Sequence, residues 1–106
     1  MPGSEAVFVA ALSDVPDGGN RAFDVDGESI LICRTKSGIF AAANKCSHAE
    51  SALEGGIMKG SFLFCPLHGA RFDLRDGSTK GQLTKTPIRT YPVRLDGERI
   101  LVDLGK

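Results

Sequence analysis

Apolar residues come in short bursts along this chain, and several bursts alternate with polar residues at the two-residue period of a strand. Runs rich in β-branched and aromatic residues predict strands at Val7–Leu12, Arg21–Val25, Ser29–Arg34, Ile39–Asn44, Ser61–Cys65, Arg71–Asp73, Thr90–Leu95 and Arg99–Asp103. Asp-Gly dipeptides at 17–18, 26–27, 76–77 and 96–97, with Ser37-Gly38, supply the punctuation. In "FDVDGESILI" and "VRLDGERILVDL" the dipeptide lies between two strand-like runs, which predicts two-residue hairpins. No window of ten residues holds a helical period, although Ala49–Leu53 could close one turn. The pattern therefore predicts an all-β sandwich or barrel. One run, "SILIC", does not alternate, so Cys33 is expected to be a buried free thiol.

At 106 residues the chain is expected to form one domain, 1–106, with its own core. Thirteen basic and thirteen acidic residues cancel, which argues against nucleic acid or an anionic membrane as partner. The cancellation hides a gradient: residues 1–33 hold six acids and one base, and the remainder holds twelve bases and seven acids. That asymmetry could steer a protein partner. The opening "MPGSEAVFVAALSD" has no basic residue before a short apolar run, so neither a signal peptide nor a membrane span is expected. Three cysteines cannot all pair, and a reducing cytoplasm is the expected location.

Both histidines and two of the three cysteines fall in two stretches where the β pattern thins, "NKCSHAE" (44–50) and "FLFCPLHGARFD" (62–73). Cys46 stands two residues before His48, and Cys65 three before His68. A nucleophilic Cys/His pair would explain one stretch and leave the other idle. A tetrahedral zinc ion would accept two thiolates and two imidazoles, and a zinc-stabilised interaction module stays open on this ground. Zinc sites, however, usually group cysteine with cysteine and histidine with histidine. The arrangement Cys-x-His-x16-Cys-x2-His suits two adjacent metals, one held by both cysteines and the other by both histidines. A [2Fe-2S] cluster with two histidines on one iron has that composition.

These two motifs, with "CPLHGARFD" around the second, resemble the Rieske iron–sulfur family. The resemblance implies that Cys46 and Cys65 ligate the inner iron and that His48 and His68 ligate the outer one. It also implies a Rieske-like β-sandwich or barrel in which two hairpin loops, within a cluster-binding subdomain at about residues 44–73, clasp one cluster. A third loop near Lys80–Thr86 would cover it, with Leu83 where relatives often carry proline. High-potential members resemble Cys-Thr-His-Leu-Gly-Cys and Cys-Pro-Cys-His-Gly-Ser-x-Tyr. Here Ser51 and Leu67 stand at the disulfide positions, and Ala70 and Phe72 at those of the hydroxyl donors. The expected potential is therefore about −150 mV, at the bottom of the Rieske range.

The similarity is to soluble Rieske ferredoxins of aromatic-ring-hydroxylating dioxygenases. Such a protein would be a monomeric electron carrier between an NAD(P)H-dependent flavin reductase and a terminal oxygenase, and not itself an enzyme. Its two histidines are already committed, leaving none for a mononuclear iron, and "LEGGIMKG" lacks the dinucleotide fingerprint. A small subunit like that of nitrite reductase is the alternative within redox proteins. Gly69, Gly55 and Gly56 are expected to let backbone N–H groups approach sulfide. Ala49, Pro66 and Leu67 would form an apolar collar. Lys45, Lys59, Lys80 and Lys85, or Glu50 and Glu54, are candidates for steering a partner.

Overall fold

A computed structural model describes residues 6–45, 52–66, 69–80 and 86–104. The clearest local rule acts at Asp26-Gly27, with Val25 directly opposite Glu28. Their φ angles of 51° and 81° are the left-handed pair that a type I′ hairpin demands. This turn joins β2 (Asn20–Val25) to β3 (Glu28–Thr35), and β4 (Gly38–Ala43) follows after a second two-residue turn. With β9 (Thr90–Tyr91) they form an antiparallel sheet in the order β2-β3-β4-β9.

Two further sheets flank this one. β1 (Ala6–Ala11), β11 (Arg99–Asp103) and β10 (Val93–Asp96) make the first, in the order β1-β11-β10. β5 (Ile57–Lys59), β6 (Phe62–Phe64), β7 (Arg71–Asp73) and β8 (Thr79–Lys80) form the second as a meander. β3 lies between two cores, which explains its unbroken apolar run. Ile30 and Ile32 pack with Ile100 and Val102 of the first flanking sheet. Leu31 and Cys33 pack with Leu63 and Phe72 of the second and with Cys65 just beyond β6.

The predicted strands recur within one or two residues, with three corrections. The run Thr90–Leu95 is two strands, β9 in the central sheet and β10 in a flanking one. Pro92 separates them because it has no N–H for a ladder, while its carbonyl accepts from the Asp103 amide at 3.0 Å. In the last hairpin Asp96 pairs with Arg99, so the turn residues are Gly97 and Glu98 rather than Asp96 and Gly97. A leading glycine at φ 62° fits a two-residue loop of the II′ kind. Strands β5 and β8 were not expected, since three and two residues show no period; only their pairing to β6 and β7 defines them. β8 also carries the second flanking sheet past residue 73. Of Ala49–Leu53, residues 49–51 lie outside the described residues, and Ala52 and Leu53 are not helical. Among the described residues, no helix is long and apolar enough to cross a membrane.

Cys33 is fully buried and free, as the sequence implied. Burial pushes its thiol from 9.0 up to about 12, because a thiolate there would be stripped of water. Between those values the unfolded chain has lost the proton and the folded chain keeps it. Stability therefore falls as pH rises from 9 toward 12 and is unaffected below 9. From pH 8 to pH 10.5 the expected loss is about 2 kcal/mol. Urea unfolding of the native protein and Cys33→Ala at both pH values isolates this share. The alanine protein should be less stable at pH 8 but lose less on going to pH 10.5, and equal losses would exclude the thiol as their source.

Candidate metal centre

The first ligand stretch leaves the central sheet where β4 ends. Lys45 donates its N–H to the Ala43 carbonyl at 2.8 Å, and the chain returns at Leu53, which is fully buried. Two asparagines tie this return to the sheet. Asn44 Oδ1 accepts from the N–H groups of Leu53 and Glu54, both at 2.9 Å. Asn20, on β2, accepts from the Gly55 N–H at 2.7 Å and donates to the Gly56 carbonyl at 3.0 Å. The Glu54 carboxylate accepts from the Ala22 N–H at 2.8 Å and so occupies a donor on the outer edge of β2.

The second stretch is the connection between β6 and β7. Cys65 donates its N–H to the Ala70 carbonyl at 2.8 Å, and its own carbonyl accepts from the Gly69 N–H at 2.9 Å. Gly69 has φ 77°, a value that favours glycine in a turn this tight. Cys65 is buried in the core of Leu53, Ala70 and Phe72, so the ends of both stretches share one apolar foundation. Beyond β7 the chain turns on Asp73, a buried carboxylate held by Arg75 through Nε at 3.0 Å and a second guanidinium nitrogen at 2.8 Å. That bond, followed by the carboxylate's charge, raises the Arg75 guanidinium above its ordinary value.

Cys65 lines a cavity of about 510 Å³ with Gly55, Ile57, Lys59, Phe64, Pro66 and Gly69. Ile57 is 66% exposed at its rim, an unusual position for so large an apolar side chain. Of the predicted ligands, Cys65 is described, whereas Cys46, His48 and His68 lie outside the described residues. So do Ala49 and Leu67 of the apolar collar, Glu50 and Lys85 of the steering set, Ser51, and Leu83 with most of the covering loop. Pro66, Lys45 and Lys59 are exposed. The N–H groups of Gly55, Gly56 and Gly69 are bonded to Asn20 Oδ1, the Leu53 carbonyl and the Cys65 carbonyl. The sequence reading missed Asn20, Asn44 and Glu54 as anchors; the affinity of asparagine for backbone groups at loop mouths is the one signal that could have pointed to Asn44.

Residues 5–92 match the Rieske [2Fe-2S] domain family. The chain belongs to that family. The biphenyl 2,3-dioxygenase ferredoxin component of Rhodococcus jostii (strain RHA1) is 35% identical over 96 residues, 91% of this chain and 90% of its own. The naphthalene 1,2-dioxygenase ferredoxin component of Pseudomonas aeruginosa is 32% identical over 99 residues, 93% of this chain and 95% of its own. Among solved structures, the ferredoxin of carbazole 1,9a-dioxygenase from Nocardioides aromaticivorans IC177 superposes with a TM-score of 0.84 at 40% identity, covering 92% of this chain and 95% of that one. The chain is thus a Rieske ferredoxin, an electron carrier rather than a catalyst, with one [2Fe-2S] cluster.

The described residues fit that group. A buried cysteine opens onto a cavity beside two left-handed glycines, Gly55 and Gly69, where a β-carbon would meet nothing within 4 Å. Ala70 and Phe72 are buried and carry no hydroxyl, so neither side chain can donate a hydrogen bond.

Proposed function

We propose that Cys46, His48, Cys65 and His68 hold the cluster. On this reading the chain carries single electrons from an NAD(P)H-dependent flavin reductase to a terminal Rieske oxygenase acting on an aromatic ring. The observation that carries the proposal is the complete Cys-x-His-x16-Cys-x2-His set in a chain that runs nearly end to end with ferredoxin components of dioxygenase systems. When bound, the group supplies one-electron storage. The protein's part is to hold it between two braced loops and set its energy.

Here the energy is set by what is missing. With alanine and phenylalanine at positions 70 and 72, no side-chain hydroxyl stabilises added negative charge. With Ser51 and Leu67 in place of cysteines, no disulfide between the loops is required, which suits a reducing cytoplasm. The chain acts as a monomer, presenting one tip in turn to each partner. Lys59, Pro66 and Ile57 supply a mixed apolar and basic rim there.

Voltammetry of the purified holoprotein should give a midpoint of about −150 mV. A value above about +100 mV, in the range of hydroxyl-bonded members, would overturn the low-potential assignment. Turnover of an aromatic substrate by a purified reductase and oxygenase should require this chain. Undiminished turnover without it would overturn the carrier role.

A further inference from the structure

We propose that Asn44 is the positioning residue of the first ligand loop, setting how Cys46 and His48 are presented to the cluster. The proposal rests on the reading that these two residues are ligands.

The loop leaves β4 at Asn44 and rejoins described structure at Ala52, so both proposed ligands lie on a short span whose ends the side chain of Asn44 joins. Its amide works in three directions. Oδ1 accepts from Leu53 and Glu54, each at 2.9 Å, and Nδ2 donates to the Ser29 hydroxyl at 3.1 Å. Its backbone N–H donates to the Ser29 carbonyl at 3.0 Å, so side chain and main chain grip one residue of β3. Because Ser29 belongs to the central sheet and Leu53 to the core around Cys65, the amide references one loop to the foundation of the other.

Neither alanine nor aspartate reproduces this set. Alanine strands two N–H groups, one of them on the fully buried Leu53. Aspartate keeps both acceptor bonds and can accept from the Ser29 hydroxyl. It adds a negative charge two residues from Cys46, which opposes reduction. Asn44→Asp should therefore separate loop closure from electrostatics.

The test compares holoproteins by iron release to a chelator, by the paramagnetic spectrum after dithionite reduction, and by midpoint potential. Asn44→Ala should release iron about tenfold faster than the native protein, with displaced and broadened resonances, as for lost outer-shell support. Asn44→Asp should restore the release rate while lowering the potential. Thr35→Ala serves as control: Thr35 makes a similar brace, accepting from the Ser37 N–H and donating to the Gly38 carbonyl, at the far end of β4. It should match the native protein.

An Asn44→Ala protein with native release and spectrum overturns the proposal. So does a Thr35→Ala protein that copies its defects, or an Asn44→Asp protein that releases iron as fast as the alanine variant. Should Asn44→Ala not fold, Ser29→Ala removes only the Nδ2 partner and carries the same comparison with a smaller acceleration; native behaviour then overturns the proposal. A native protein without two irons and two sulfides overturns the ligand reading itself, whereas a normal cluster in every variant overturns only the role of Asn44.

Discussion

Cys65→Ala is expected to give a colourless protein that binds no cluster, shows no paramagnetic signal after reduction and supports no electron transfer. The thiolate is the proposed donor that the rest of the chain cannot replace. Cys33 lies in the same core but is fully buried on β3, and its thiol is pushed up to about 12, so it is a poor metal ligand at neutral pH. Three remaining donors leave one iron with an open position, and a cluster so exposed should be lost on purification. The base of the fold should survive. The core of Val15, Ile30, Ile32, Tyr91, Ile100 and Val102 does not include Cys65, and alanine removes a single atom from the other core. Iron and sulfide analysis decides the first expectation, and far-ultraviolet circular dichroism decides the second. Alanine is preferred to serine because a serine oxygen can bind iron. A brown Cys65→Ala protein with a full complement of iron would remove Cys65 from the ligand set.

Gly77→Ala should be among the most damaging changes that add a single methyl group. Gly77 has φ 80°, a conformation that costs other residues about 1–2 kcal/mol. A β-carbon there would also collide with the carbonyl oxygen of Ile88 and approach Thr90 Cγ2 at 3.3 Å. Ile88 cannot simply withdraw: its N–H donates to the Gly77 carbonyl at 3.0 Å, and its side chain belongs to the core around Cys65. The glycine therefore lets the β7–β8 hairpin dock against the segment that leads into β9. Forcing the two apart should cost about 4 kcal/mol, a large part of the roughly 5–15 kcal/mol that stabilises such domains. Gly97→Ala supplies the comparison, since φ is 62° but a β-carbon would meet nothing within 4 Å. Its cost should stay near the conformational 1–2 kcal/mol. Equal urea midpoints for the two variants would show that the close approach at Gly77 does not matter.

The strands legible in the sequence were those whose pattern is a local consequence of burial. The two-sided burial of β3 appears as an unbroken apolar run, and the Asp26-Gly27 turn follows from conformations those residues tolerate. The turn at Gly97-Glu98 slipped by one position because Asp-Gly and Gly-Glu are both competent loop pairs, and only the Asp96–Arg99 pairing selects between them. β5 and β8 were illegible because two or three residues carry no period. Of the site, the proposed ligands rest on spacing, while the anchors were not legible in the sequence. Asn20 reaches a loop return 35 residues ahead, and nothing near it in the chain signals that contact.

By itself, the sequence determined a β-rich chain, hydroxyl-free residues at positions 70 and 72, and the cysteine and histidine pairs, at a spacing that suits two metals, on which the proposed chemistry rests. Tertiary structure alone decided where the chain changes sheets at Pro92, which glycine must remain bare, and how the first loop is tied down by Asn20 and Asn44. The physical reason is range. Ligand identity and turn preference belong to neighbouring residues, whereas a brace or a close approach exists only once distant segments have packed together.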